Sequence, residues 1–591
     1  MRKTKIVCTL GPASDNLETI KALIQAGLDA ARINFSHGTH ETHAEVVRKL
    51  KQAREELDAP IPLILDTKGP EIRIKTFSQD RIYLPQGNDF TLTTEDIVGD
   101  ETRVAITYQD LPKDVKLGSR ILIDDGLIEL KVKHLTDTDI VCEIINSGFL
   151  RSRKGVNVPD VYVNLPSLTE QDIEDIIFGI EMGFDYIAAS FIRSADDVLN
   201  IRKILEEHNG NHIKIISKIE SQDGVSNLDA ILEVSDGIMV ARGDLGVEIE
   251  PERVPLVQKM LIRKANEVGK PVITATQMLE SMVNNPRPTR AEANDVANAI
   301  FDGSDAIMLS GETAQGSYPV EAVTMMAKIA RKTEESIDYY EQISYQHKHY
   351  MTNITVTNAI SYAACTTAAD LKAACIVAVT DSGFTARMIS KFRPSCPILA
   401  VTQHAIPLRQ MNLTWGCMPT LASEIKGNDE VFDVAVKMAL ENNLAQNGDP
   451  VVIAAGVPVG VASTTNTLKV QTVGNVLARG QGYGKKTEIA GAANVIKVIE
   501  EAKVKYFKKG DILITPKTTD EMMPYIKKAG AIVVGSWTEN DHSHTMTVAQ
   551  ALDIPVVICK EGVSDLIMDG LPITVDSKKG FIYNNIREAK K

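Results

Sequence analysis

Short, mainly apolar runs alternate with longer segments of helical spacing at the start of this chain. Lys5–Leu10, Ala30–Phe35 and Pro62–Asp66 read as strands buried on both faces, and Leu17–Ala26 and Thr39–Glu56 read as helices. From about Gly69 to Pro166 the rhythm changes. The runs become short, rich in Thr, Val and Ile, and punctuated by Gly, Asp and Pro, as in Ile121-Leu-Ile-Asp-Asp-Gly-Leu-Ile128, which predicts an all-β insertion. A capping signal at Ser167-Leu-Thr-Glu170 reopens the alternation. Strands are expected near Tyr186–Ala189, Ile213–Ile219, Gly237–Ala241, Pro271–Ala275 and Ala306–Leu309, with helices between them. Three strands before the insertion and five after it make eight, the count of a (β/α)8 TIM barrel.

Beyond a polar stretch near Tyr350, strands at Ile376–Thr380, Ile398–Val401 and Val451–Ala455 predict a parallel sheet with helices on both faces. A further α/β segment follows Gly480-Gln-Gly-Tyr-Gly484, a glycine-rich stretch that reads as a hinge. The expected organisation is therefore α/β: residues 1–69 and 167–345 forming the barrel, 70–166 an inserted all-β lid, 346–475 a parallel-sheet effector domain, and 476–591 an additional C-terminal α/β domain.

Composition narrows the class of protein. At 591 residues the chain exceeds what one hydrophobic core supports, and 44% hydrophobic with 24% charged residues is ordinary for a globular protein. A formal net charge of -14 argues against a nucleic-acid binder, which needs a broad basic face. Seven cysteines with no C-x-x-C pair make neither a disulfide framework nor a zinc site. The basic opening Met1–Leu10 runs straight into a strand, and no apolar run approaches eighteen residues, so a cytoplasmic protein without membrane partners is expected.

Charge gathers at the predicted strand ends. Ile216-Ser-Lys-Ile-Glu220 and Val240-Ala-Arg-Gly-Asp244 place Lys218, Glu220, Arg242 and Asp244 at the ends of neighbouring buried strands, where unpaired charge is costly. Carboxylate oxygens suit Mg²⁺ or Mn²⁺, and a lysine beside them suits a phosphoryl group that the same ion touches. Arg32, Asn34 and Ser36 follow the second strand, Asp66 and Thr67 the third, Thr276 the seventh and Ser310 the eighth. Taken singly, each has a plainer reading as a salt bridge, a cap or a satisfied hydroxyl; ends of one barrel converge on one mouth, which joins them into a phosphoryl-transfer site. No Walker A pattern occurs, so any nucleotide must be held by scattered cations.

The motifs Arg32-Ile-Asn-Phe-Ser-His-Gly38, Leu65-Asp-Thr-Lys-Gly-Pro-Glu-Ile-Arg73, Lys154-Gly-Val-Asn157, Ile216-Ser-Lys-Ile-Glu220, Met239-Val-Ala-Arg-Gly-Asp-Leu-Gly246, Thr274-Ala-Thr-Gln-Met-Leu-Glu-Ser-Met282, Arg287-Pro-Thr-Arg-Ala-Glu292 and Met308-Leu-Ser-Gly-Glu-Thr313 together resemble pyruvate kinases. The resemblance implies phosphoryl transfer from phosphoenolpyruvate to ADP, with ATP as product. It implies that Glu220 and Asp244 hold Mg²⁺ or Mn²⁺, that Lys218 stabilises the group in flight, and that Arg32 grips its phosphate. Gly243, Asp244 and Thr276 would meet the substrate carboxylate. Thr276 and Ser310 become candidates for a water-mediated proton relay to the enolate. Asn34, Ser36, Asp66 and Thr67 match a K⁺ site, and the nucleotide would lie against Asn34, Phe35, Ser36, His37, Arg73 and Lys154. Glu71 stands where K⁺-independent members carry Lys, which implies that activity needs K⁺.

Thr380-Asp-Ser-Gly-Phe-Thr-Ala-Arg387 follows a strand and opens a helix. It resembles the family's effector-phosphate loop, which implies Thr380, Asp381, Ser382, Gly383 and Thr385 as ligands of a phosphorylated metabolite and a regulated homotetramer. The neighbouring Gly456–Asn466 stretch departs from the pattern with Ser463 where glycine is usual. The tail segment Thr538-Glu-Asn-Asp-His-Ser-His-Thr545 resembles the phosphohistidine domain of phosphoenolpyruvate-utilising enzymes, with His544 at the phosphorylated position, but the customary glycines are missing and Asp541 and His542 stand in the loop instead. A working phosphocarrier is therefore not expected there. Besides the active kinase, two other readings stay open: phosphohistidine chemistry centred on the tail, and a barrel that has lost catalysis and senses a sugar phosphate.

Overall fold

The computed structural model describes residues 1–161, 163–350, 355–425, 427, 430–458, 465–474, 476–502, 506–535, 542–559 and 562–584. Two compact units emerge: Met1–Ala369 with Ile376–Ala435 and Ala454–Leu468, and Asp370–Cys375 with Val436–Ile453 and Lys469–Lys591.

The first unit is built on a closed eight-stranded barrel. Its strands are β1 (Lys5–Leu10), β2 (Ala30–Asn34), β3 (Leu63–Asp66), β4 (Tyr186–Ala189), β5 (Lys214–Ile219), β6 (Gly237–Ala241), β7 (Val272–Ala275) and β8 (Ala306–Leu309). Each pairs in parallel with the next, and β8 closes on β1. The strands read as continuous apolar runs because both faces are covered. Val7, Ile64, Ile216, Met239, Ile273 and Met308 fill the interior, while Ile6, Ile33, Leu65, Ile215 and Ile238 face the surrounding helices.

Capping boxes fix where several of those helices begin. Thr39 pairs with Thr42, Thr169 with Asp172, Ser194 with Asp197 and Thr289 with Glu292, so each loop after a strand has a set length. The N-terminal end of the barrel is closed by the segment around 409–417. Lys5 Nζ donates to the Cys417 carbonyl at 2.7 Å, the Tyr186 hydroxyl donates to the Gln410 carbonyl at 2.7 Å, and Arg409 pairs with Asp185 at 2.8 Å. Leu413 joins the interior cluster beneath. At the opposite, C-terminal end of the strands the barrel opens into a cleft.

The insertion after β3 is a six-stranded sheet, largely antiparallel, with a two-stranded ribbon pairing Arg81–Leu84 to Gly148–Arg151. Its core packs Phe90, Leu92, Ile121, Leu130 and Ile140. One helical turn, Leu111–Asp114, interrupts the expected all-β character where Pro112 opens it. Farther along, Cys375–Val379 and Ile398–Thr402 pair in parallel, as the pattern predicted, and Cys417–Leu421, a strand the pattern did not single out, pairs in parallel with Ile398–Thr402.

The second unit contains a closed seven-stranded barrel of mixed direction. Glu488–Val495, Ile512–Thr515, Ala531–Val534 and Val556–Cys559 run in parallel order, and Val476–Tyr483, Pro572–Asp576 and Phe581–Asn584 close the ring by antiparallel pairing. The expected hinge at Gly480–Gly484 is corrected here: Gly480, Gln481, Gly482 and Tyr483 lie in a strand paired with Val556–Cys559. The glycines serve close packing, because a Cβ on Gly480 would strike the Ile558 carbonyl and one on Gly482 the Ser577 carbonyl.

Candidate active site

The ends of β2 and β3 form one wall of the open end. Arg32 is 8% exposed; its Nε donates to Asp66 Oδ2 at 2.7 Å and its Nη1 to Thr9 Oγ1 at 2.8 Å, so the guanidinium has a fixed direction. Asn34 Oδ1 accepts from the Ser36 N–H at 3.1 Å, tying the loop that continues β2 back to its last residue. Burial alone would raise the Asp66 carboxyl, but Arg32 and Lys218 outweigh it and hold it below the usual carboxylate range. Thr67 receives the Ser190 N–H on its hydroxyl at 3.1 Å and the Ser190 hydroxyl on its carbonyl at 2.6 Å.

The facing wall comes from β5 and β6. Lys218 Nζ lies 3.2 Å from Asp66 Oδ1, 3.0 Å from Glu220 Oε1 and 2.7 Å from Ser190 Oγ. Burial works against the ammonium, yet Asp66 and Glu220 more than offset it and keep Lys218 firmly charged. Glu220 Oε2 accepts the Phe191 N–H at 2.6 Å. Glu220 Oε1, although near Lys218, is buried without a hydrogen bond of acceptable geometry. Burial pushes the Glu220 carboxyl up to about 7, with Lys218 opposing and the nearby Asp244 charge adding. Asp244 is likewise raised by burial, with Lys218 opposing. Two carboxylates held this way gain from a cation between them.

Thr276, after β7, adopts φ 66°, a left-handed conformation unusual for a β-branched residue. Arg242 holds it there, donating from Nη2 to the Thr276 carbonyl at 2.6 Å while Nη1 pairs with Asp295 at 2.8 Å. Thr276 Oγ1 in turn accepts the Gly243 N–H at 2.9 Å. The backbone donor that the sequence assigned to substrate is thus paired with the neighbouring threonine. After β8, the Ser310 N–H donates to Glu312 at 2.8 Å, and Glu312 also receives the Leu279 N–H at 3.0 Å. This buried glutamate, which joins the loops after β7 and β8, stands inside the motif Met308–Thr313 but was given no role there.

Between barrel and insertion lies a cleft of about 980 Å³, with Arg32, Asp66, Lys218, Glu220 and Asp244 on its barrel side. Asn34, Ser36, His37 and Arg73 line it as well. Arg73 is paired with Glu71 at 2.6 Å and donates to the Arg153 carbonyl at 2.8 Å. Lys154 is not among the lining residues. It is paired with Asp124 at 2.7 Å, whereas Lys68, Lys75 and Arg153 face the cleft. Phe35 is buried against His43 at a ring distance of 4.3 Å, below the loop that carries Ser36 and His37.

In the loop after Cys375–Val379, Gly383 takes φ 78° and opens the helix Phe384–Ser390. Asp381 and Ser382 are exposed, while Thr380 and Thr385 are buried, Thr385 Oγ1 lying 2.8 Å from Thr465 Oγ1. Ser463 lies outside the described residues, as does Asp541. His544 is held on both ring nitrogens, 2.9 Å from Thr518 Oγ1 and 3.0 Å from Asp520 Oδ1. Among the described residues, the seven cysteines form no disulfide.

A closed parallel barrel with buried opposite charges gathered at the C-terminal ends of its strands, beneath an inserted β lid, defines an α/β-barrel enzyme. Family models match along its length: pyruvate kinase, barrel domain, over residues 1–323; pyruvate kinase, alpha/beta domain, over 358–471; and PEP-utilising enzyme, mobile domain, over 507–580. The chain is 49% identical over 586 residues to the pyruvate kinase of Geobacillus stearothermophilus, covering 98% of each. It is 52% identical over 474 residues to that of Clostridium acetobutylicum, covering 80% of this chain and 100% of the relative. The solved pyruvate kinase of Cryptosporidium parvum superposes with a TM-score of 0.76 at 40% identity, over 80% of this chain and 96% of that one. The chain belongs to the pyruvate kinase family. Its reaction is phosphoryl transfer from phosphoenolpyruvate to ADP, giving pyruvate and ATP, and the family generally uses divalent and monovalent cations. Among the described residues no helix is long and apolar enough to cross a membrane.

Proposed function

We propose that the transfer takes place where Lys218, Glu220 and Asp244 meet Arg32 and Asp66, and the observation that carries this is the Lys218 ammonium, buried and charged between Asp66 and Glu220. Phosphoryl transfer asks for positioning and charge neutralisation rather than covalent help. Arg32, held on two nitrogens, orients the phosphate. Lys218 stabilises charge on the group as it moves. Thr276 borders the carboxylate end of the substrate with Gly243 and Asp244, and Thr276 and Ser310 pass a proton to the enolate through water.

The residues fit the expected ions. Glu220 and Asp244 are hard oxygen donors, one with a buried oxygen lacking a hydrogen bond, which suits Mg²⁺ or Mn²⁺. Held by Glu220 and Asp244, such an ion would supply positive charge for the phosphoryl and enolate oxygens. Asn34, Ser36, Asp66 and Thr67 offer an all-oxygen set for K⁺ at adjacent strand ends. Nucleotide binds along Asn34, Phe35, Ser36, His37 and Arg73; Lys154 joins only by leaving Asp124, which closure of the lid over ADP would require. The domain limits 1–69, 70–166, 167–345, 346–475 and 476–591 remain the working division. A phosphorylated metabolite binds at Thr380, Asp381, Ser382, Gly383 and Thr385 of a cytoplasmic homotetramer.

A coupled assay with phosphoenolpyruvate, ADP, Mg²⁺ and K⁺ tests the site. Turnover by the native chain that is unaltered in Lys218→Met would remove this cleft as the place of transfer. Ser382→Asp, which repels an incoming phosphate, abolishes activation by sugar phosphates while leaving basal turnover; an unaltered response counts against that loop.

A further inference from the structure

No motif singled out the end of β4, yet the two residues after it touch Lys218 on β5 and Glu220 just beyond it. Ser190 is 4% exposed. Its Oγ donates to the Thr67 carbonyl at 2.6 Å and accepts from Lys218 Nζ at 2.7 Å, while its N–H donates to Thr67 Oγ1 at 3.1 Å. A hydroxyl has one proton, so committing it to Thr67 turns a lone pair toward the ammonium. The other groups around Lys218 Nζ are carboxylates, which orient the ammonium but also cancel its charge. Ser190 is neutral. It fixes direction and leaves the charge available to a phosphoryl group.

Phe191 completes the corner. Its φ of 55° is an outlier for a bulky aromatic residue, and such strain persists only where the surroundings impose it. In that conformation its N–H reaches Glu220 Oε2 at 2.6 Å. Gly69, at φ 72°, makes room: a Cβ there would come within 2.8 Å of Ser190 Cβ and 2.9 Å of the Phe191 ring. Three separate features, a hydroxyl bridge, a strained backbone and a glycine, thus converge on one turn.

We infer that the Ser190–Phe191 corner is a positioning element for phosphoryl transfer: Ser190 aims the Lys218 ammonium and couples it to Thr67, and Phe191 aims Glu220. The inference rests on the roles proposed above for Lys218, Glu220 and Thr67. It adds that K⁺ at Thr67 and the ammonium at Lys218 share one hydroxyl, so disturbing that hydroxyl changes both transfer and K⁺ dependence.

The test compares Ser190→Ala, Ser190→Thr and Lys218→Met in the full chain with phosphoenolpyruvate, ADP, Mg²⁺ and varied K⁺. Losing a hydrogen bond to a charged group should lower kcat roughly ten- to a hundredfold in Ser190→Ala. KM for ADP should stay within about twofold, because the lost interaction acts in the transition state. Half-saturating K⁺ should rise roughly two- to tenfold. Ser190→Thr keeps the hydroxyl and should recover most of the turnover. Near-wild-type kcat and K⁺ dependence in Ser190→Ala overturns the inference, and so does an equal loss in Ser190→Thr, which would mean that packing matters rather than the hydroxyl. Should Ser190→Ala fail to fold, Ser190→Cys, with its weak acceptor sulfur, carries the same expectations. Activity retained by Lys218→Met would instead sink the underlying site, whereas an inactive Lys218→Met beside an unaffected Ser190→Ala sinks this inference alone.

Discussion

The chain folds two closed barrels, and they treat buried charge in opposite ways. The eight-stranded barrel buries Arg32, Asp66, Lys218 and Glu220 at the ends of its strands, arranged as opposite charges within bonding distance. In the second unit, Asp576 is the one acidic or basic side chain found buried among the described residues, and it accepts the Lys578 and Lys579 N–H groups to close a turn. Its other buried polar groups include hydroxyls such as Thr515, Thr518 and Thr545. Buried charge is expensive to keep, several kcal/mol per ion; single pairs such as Arg393–Asp305 and Arg409–Asp185 are structural, whereas a cluster of such charges lining an open cleft is a candidate for chemistry. Closure of a barrel alone marks nothing.

The strongest way to break this contrast is to remove the central charge. Lys218→Met should lower kcat by at least ~10² with nucleotide binding nearly intact, measured by steady-state kinetics beside an ADP-binding titration. Turnover near that of the native chain would show that the buried ammonium is structural. Next in size, Glu220→Gln and Asp244→Asn should each shift half-saturation by Mg²⁺ roughly tenfold upward, since each loses a carboxylate charge beside the ion. Unchanged Mg²⁺ titrations would leave these carboxylates without an ion.

A smaller effect concerns K⁺. Glu71 faces the cleft, paired with Arg73, so no ammonium there substitutes for a monovalent cation. Activity should fall sharply in buffer lacking K⁺ and Na⁺, and Glu71→Lys should restore it in part. Full activity of the native chain in that buffer contradicts the K⁺ assignment.

Smallest should be changes in the second barrel. Truncation after Gly474 removes Tyr583 and Lys579, which bond Asn447 and Asp449 at 3.0 and 3.1 Å. The melting temperature should drop by several degrees while the kinase stays active. Complete loss of activity would assign the second barrel a catalytic part. His544→Ala should leave turnover within about twofold, because the ring is already held by Thr518 and Asp520. Acid-labile phosphate on His544 during turnover would contradict this.

Much of the barrel is legible in the order of residues, since continuous apolar runs and capping residues are local signals that tertiary packing reinforces. β1 has the predicted bounds, Thr39 caps the helix that the pattern began at that residue, and Thr169 caps the next one, two residues beyond the Ser167 that opens the predicted capping signal. Charged residues at strand ends are legible for the same reason: a lysine or carboxylate closing an apolar run is conspicuous. Gly480 and Gly482 mislead, because glycine permits both flexibility and close approach, and only the partner strand distinguishes them.

The eight strands of the first barrel, their order along the chain and the charges that end them follow from the chain alone, because periodicity of two or 3.6 residues and the residue types are enough to specify them. The pairings across the mouth belong to tertiary structure. That Lys218 meets Ser190, that Arg242 holds Thr276 in a left-handed conformation, and that Lys154 pairs with Asp124 are contacts between residues distant in the chain. No local pattern encodes them. Closing the barrel brings strand ends together at hydrogen-bonding distance, and at that range a hydroxyl, a backbone N–H or a rival carboxylate decides what each charge can do.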